Sequence, residues 1–160
     1  MSIDASYNFR RVDERLTTSG IVPPEQLDEL RDQGYRAVIN LKPDIEAEIG
    51  VDEAELVRAQ DIDYVYLPVD FDAPAHADYE AFAAAMDAHD GQKVHVHCAA
   101  NYRVTAFYGV YAVDRSLWTE AEADAFVRDV WDPSEFPAWQ AFITDERERI
   151  SRQGPRTAST

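Results

Sequence analysis

The sequence predicts an α/β domain of three layers, with a central, mostly parallel sheet of four or five strands flanked by helices. Three observations carry this expectation. Residues 36–41, 63–67 and 93–97 are short runs built on β-branched and aromatic side chains. Helical patterns separate them, an alternation that favours parallel strands joined by crossover helices. The run 104–116 is apolar on nearly every side, as a helix buried at the centre of a domain must be.

Residues 9–12 and 16–19 read as an N-terminal hairpin or a pair of edge strands. Pro23 and Pro24 open the first helix, Leu27, Leu30 and Tyr35 mark its buried side, and Gly34 stops it. A second helix is expected over 51–60. A third, over 78–89, carries Tyr79, Phe82, Ala83 and Met86 at helical spacing. After the central helix, Thr119 and Glu122 form a capping box for a helix over 119–130, and Ser134 is the candidate N-cap of a last helix over 134–151. Trp131, Phe136, Trp139 and Phe142 are assigned to packing in the core. Residues 1–152 form one domain, and the polar stretch 153–160 is expected to be disordered.

Composition narrows the function classes. The 160-residue chain has 31 acidic against 15 basic residues and a formal net charge of -16, and Lys42 and Lys93 are its only lysines. Such a surface repels nucleic acid and anionic membrane, so neither is an expected partner. The same composition suggests adaptation to high salt, where screening removes self-repulsion. No apolar run approaches the roughly 20 residues that span a bilayer. The first residues lack a basic segment followed by an apolar core, so no secretory leader is expected. The single cysteine has no internal partner for a disulfide and survives best in a reducing compartment, which points to the cytoplasm.

That cysteine lies in the most informative stretch, Val94-His95-Val96-His97-Cys98-Ala99-Ala100-Asn101-Tyr102-Arg103-Val104-Thr105, between a strand pattern and a helix pattern. A thiol attacks as its thiolate, and a helix N-terminus both favours the thiolate and binds anions. One loop is thereby suited to hold an anion and attack it. His95 and His97 share a strand face because side chains alternate. His76 and His89 fall in surface segments, so no metal site is expected, and no organic cofactor either.

The order His-Cys, small-residue loop, Arg, then a helix starting near a hydroxyl residue resembles the phosphate loop of cysteine-dependent protein phosphatases. The whole pattern is similar to the compact dual-specificity phosphatases. Residues 16–25 and 38–41 look like a bacterial and archaeal branch of that superfamily. The resemblance implies phosphomonoester hydrolysis through a cysteinyl-phosphate, without a cofactor. Cys98 would be the nucleophile. Ala99, Ala100, Asn101, Tyr102 and Arg103 would bind the phosphoryl group, His97 would orient the loop, and Thr105 would donate to the leaving thiolate. The general acid belongs in the loop 67–74, where Asp70 and Asp72 are both eligible and Asp70, directly after the strand, is favoured. Asp44, at another strand end, would shape the pocket rim, and Lys42 beside it would supply positive potential that this acidic chain otherwise lacks.

The chain departs from the family in one respect. Four residues separate Cys98 from Arg103, where the family has five. Counted from Cys98, Asn101 takes the place of the family's glycine, Val104 that of the arginine and Thr105 that of the hydroxyl residue. An arginine one position early on a helix points about 100 degrees away. Arg103 therefore has two readings, as the phosphoryl ligand of a re-formed loop or as the partner of a carboxylate elsewhere. The expected substrate is a phosphorylated protein or small phosphomonoester. The alternatives are a phosphatase-like module that binds phosphate or a phosphorylated partner with little or no turnover and, third, an oxidisable sensor thiol.

Overall fold

The computed structural model describes residues 3–153 and contains one mixed sheet with helices on both faces. Five strands, β1 (Arg10–Arg11), β2 (Leu16–Ser19), β3 (Tyr35–Asn40), β4 (Asp63–Tyr66) and β5 (Lys93–His97), lie in the order β1-β2-β5-β3-β4. β1 pairs antiparallel with β2 and every other pairing is parallel. This is the expected class, and the N-terminal hairpin is present. Being central, β5 has strands on both sides, with Ser19 and Asn40 both opposite His97.

The helices are α1 (Pro24–Leu27), α2 (Ile45–Ile49), α3 (Glu53–Arg58), α4 (His76–Ala88), α5 (Tyr102–Asp114), α6 (Glu120–Arg128) and α7 (Pro137–Gln153). One core cluster joins Val94, Val96 and Cys98 to α4, α5 and α7. A second, on the opposite face, joins Leu27, Leu30, Val38 and Val57. α5 carries 10 buried residues from Val104 to Asp114, as its all-round apolar sequence demanded.

Local departures have local causes. The first helix closes at Leu27, and turns carry the chain on to Gly34 at φ 95°. The polar run 28–33 gives a longer helix no apolar face beyond Leu30. α2 was not expected; its 5 residues are bracketed by Asp44 at φ 56° and Gly50 at φ 75°, too short for a periodic signal. Ser134 is not the N-cap of the last helix. Asp132 accepts from the Ser134 amide at 3.0 Å and hydroxyl at 2.7 Å, capping a single 3-10 turn. α7 starts at Pro137, because proline fits a first helical turn and not an interior. Gln153, expected in the tail, closes α7; the rest of the expected tail, 154–160, lies outside the described residues. Among the described residues no helix is long and apolar enough to cross a membrane.

Candidate active site

Cys98 follows the last residue of β5, and α5 begins four residues later. Asn101 makes the turn between them in the left-handed region at φ 69°, where Asn is better tolerated than most non-glycine residues. Its side-chain amide donates to the Asn8 carbonyl and to Thr18 Oγ1, both at 2.9 Å. The end of β2 lies directly against the loop. A Cβ on Gly20 would sit 2.4 Å from the Ala99 carbonyl oxygen, so only glycine fits there. The Ile21 amide donates to that carbonyl at 3.0 Å, and Asn8 Nδ2 donates to the Ala100 carbonyl at 3.0 Å. Carbonyl and following amide point opposite ways in a trans peptide, so the Ala100 amide is turned away from Ile21. The first amides of α5 add donors without intrahelical acceptors. Cys98 is fully buried, while Ala99, Ala100, Tyr102 and Arg103 are half-buried at the rim above it.

Arg103 forms no ion pair among the described residues. Its guanidinium carbon lies 5.2 Å from the centre of the Phe71 ring, and its Nε is buried without an acceptor. Phe71 sits between the two candidate acids, so the structure brings Arg103 to the acid-bearing loop. The Trp139 indole donates to the Phe71 carbonyl at 2.7 Å. Asp70 and Asp72 are both exposed. One Asp70 oxygen accepts from the Asp72 amide at 2.9 Å, which orients the Asp70 carboxylate.

Three other candidates are engaged elsewhere. Thr105 is buried, and its hydroxyl faces the Asn101 and Tyr102 carbonyls at 2.9 and 3.1 Å while accepting from the Trp131 indole at 3.0 Å. Donation to the sulfur would require that hydroxyl to leave its carbonyl partners. Lys42 Nζ donates to the Pro43 carbonyl at 3.0 Å and lies 3.5 Å from Glu48, which offsets its charge. Asp44 is exposed at the start of α2, its amide donating to the Tyr66 hydroxyl at 3.1 Å. His76 and His89 stand apart, facing Glu146 and Asp63.

Behind the loop, on the other sheet face, lies a buried network. His97 Nε2 is 2.6 Å from Glu53 Oε2, with both side chains 0% exposed. Tyr64 donates to the same carboxylate oxygen at 2.9 Å, and Asn40 donates to the Tyr64 hydroxyl at 3.0 Å. His97 Nδ1 lies 3.4 Å from the Cys98 carbonyl oxygen. The arrangement holds the imidazole, and with it the peptide that follows Cys98. Glu53 was not anticipated: it lies 44 residues before His97, and the sequence marks it only as one acid among many. Phe71 carries one sequence signal, its place between Asp70 and Asp72.

His95 is also fully buried, with Nδ1 2.8 Å from Thr17 Oγ1 and Nε2 2.8 Å from Ser19 Oγ. Ser19 donates onward to the Gly20 carbonyl at 2.8 Å, so it accepts from His95, which fixes an Nε2–H tautomer. Burial first, and the neighbouring His97 second, hold its pKa well below the usual 6.5. Folded His95 stays neutral where unfolded His95 takes up a proton, so stability falls as pH drops below about 6.5, by up to about 1.4 kcal/mol per unit. Urea unfolding at pH 7, 6 and 5 should show this slope in the wild type and lack it in His95→Gln. Equal slopes would place the pH dependence elsewhere.

Comparison with known proteins identifies the family and the fold. Residues 8–114 match the family described as "Beta-lactamase hydrolase-like protein, phosphatase-like domain". The beta-lactamase hydrolase-like protein of Xylella fastidiosa (strain Temecula1 / ATCC 700964) is 32% identical over 117 residues, 71% of this chain and 27% of that protein. The chain thus spans about a quarter of the length of that curated relative. The crystal structure of "Putative phosphatase (DUF442)" from Shewanella putrefaciens CN-32 superposes with a TM-score of 0.80 at 36% identity, covering 90% of this chain and 91% of the other. TpbA of P. aeruginosa in complex with pTyr gives a TM-score of 0.70 at 16% identity over 94% of each chain, a likeness of fold alone. The chain belongs to the phosphatase-like domain family of the beta-lactamase hydrolase-like proteins.

Proposed function

We propose that this domain hydrolyses phosphomonoesters, on a phosphorylated protein or a small molecule, through a cysteinyl-phosphate. The observation that carries this is the pairing of Cys98, buried beneath the start of α5, with an Arg103 that has no carboxylate partner among the described residues. In a chain of net charge -16, an arginine left unpaired beside an anion-binding helix start is most simply explained by an anionic ligand.

The Cys98 thiolate attacks phosphorus, an S–P bond forms, and the P–O bond to the leaving alkoxide or phenoxide breaks. Asp70, in its carboxylic acid form, gives that oxygen a proton; Asp72 is the alternative donor. The resulting carboxylate then takes a proton from water, whose oxygen attacks phosphorus as the S–P bond breaks, releasing inorganic phosphate and the thiolate. Loop amides and Arg103 stabilise the oxygens throughout.

The direct test is acid quenching of the protein during turnover of an aryl phosphate, followed by peptide mass analysis. A single phosphoryl group on Cys98 is expected. Turnover with the label absent, or on another residue, overturns the mechanism. The engaged hydroxyl of Thr105 favours a second reading, binding with little turnover, whose signature is phosphate affinity without a phosphoenzyme.

A further inference from the structure

We propose that Phe71 is a positioning residue: its ring is the shelf that holds the Arg103 guanidinium ready for an oxyanion, which is how a loop one residue short keeps its arginine in use. The inference rests on the phosphate-site reading above.

An arginine one residue early starts about 100 degrees off around the helix, and its long side chain must be guided. The chain is strongly acidic, and two of its acids flank Phe71 itself. An ion pair with either would consume the donors a phosphoryl group needs. A ring face attracts the cation without accepting any N–H, leaving all five in-plane donors for a bidentate contact. The structure shows that arrangement, with the guanidinium carbon 5.2 Å from the Phe71 centroid and no ion pair to Asp70 or Asp72. The Arg103 Nε is shielded from water and has no protein acceptor, so an oxyanion offers the side chain a better partner than the protein gives it.

The shelf is itself fixed. The Trp139 indole holds the Phe71 carbonyl at 2.7 Å, and the ring packs edge-on against Phe136 at 5.3 Å between centroids. Arg103 and the acid-bearing loop are therefore set by one residue, so displacing Phe71 disturbs both at once.

Tungstate binding, measured by calorimetry alongside thermal unfolding, tests this in the wild type, Phe71→Leu, Phe71→Trp, Arg103→Ala and the double variant Phe71→Leu/Arg103→Ala. Phe71→Leu should weaken tungstate by roughly 3- to 30-fold, the range expected for losing a partly desolvated cation–π contact. Phe71→Trp should stay within about twofold of the wild type, because a larger aromatic face serves the same purpose. In the Arg103→Ala background, Phe71→Leu should add no further loss. Unchanged affinity in a folded Phe71→Leu protein overturns the shelf, as does an equal loss with Arg103 absent. Should Phe71→Leu fail to fold, Phe71→Met keeps more of the volume and is read in the same way. A wild type that binds no tungstate overturns the phosphate-site reading and the shelf together; wild-type binding with Phe71→Leu unaffected overturns the shelf alone.

Discussion

Cys98→Ser is expected to lose about 10⁴-fold or more of aryl phosphate turnover, the scale seen when a covalent nucleophile is removed, while keeping its affinity for inorganic phosphate within several-fold. The two halves of this result follow from different parts of the site. Attack on phosphorus needs an ionised nucleophile, and a serine hydroxyl titrates far above any working pH unless an adjacent base removes its proton. His97 cannot serve as that base, because it lies on the opposite sheet face, committed to Glu53 at 2.6 Å. Phosphate binding rests on loop amides, the start of α5 and Arg103, none of which the substitution removes. The cost to stability should be modest, about 1–3 kcal/mol for setting a hydroxyl in an apolar site, since Cys98 packs in the main core cluster. Thermal unfolding of the variant checks that the loss of turnover is not loss of fold. A folded variant that retained a tenth of wild-type turnover would remove Cys98 from the chemistry.

Sheet class, the N-terminal hairpin, the central helix and the place of the cysteine were legible because each is written locally. Strands such as 36–41 repeat β-formers over a few residues, and α5 is apolar around its whole circumference. The capping box of α6 is spelled out in Thr119 and Glu122, and both of its hydrogen bonds are present, at 3.1 and 2.9 Å. What escaped is non-local or short. α2 has too few residues to show a period. Helix α7 starts late because Asp132 competes with Ser134 for the cap and Pro137 resets the count, a contest decided by geometry rather than composition. In the site, spacing alone showed that Arg103 was displaced but not where it goes, since that depends on Phe71, which is remote in sequence. The role offered for Thr105 comes from family position and that for Lys42 from its place at a strand end in an acidic chain. The structure engages both side chains with nearby partners that sequence position does not reveal, Trp131 and Glu48.

Glu53→Ala should destabilise the domain by about 3–5 kcal/mol, the cost of breaking a buried pair by removing one partner, out of the roughly 5–15 kcal/mol typical of a whole domain. The argument turns on what is left behind. His97 is 0% exposed and faces Glu53 through Nε2, and Tyr64 gives its proton to the same carboxylate oxygen. Alanine strands two donors out of reach of water and opens a void beneath β5. Glu53→Gln should cost markedly less, because its amide oxygen still accepts from both and its volume is retained. If the network exists for stability alone, pairing Glu53→Leu with His97→Phe should be close to neutral, as apolar replacements of buried ion pairs often are. If it orients the peptide that follows Cys98, that double variant should fold yet lose turnover, because the imidazole whose Nδ1 lies 3.4 Å from the Cys98 carbonyl is gone. Urea unfolding and aryl phosphate turnover, measured on the same four proteins, separate these outcomes. A loss below about 1 kcal/mol in Glu53→Ala would mean that water reaches the vacated site and satisfies His97 and Tyr64, and the network would then hold neither the fold nor the loop.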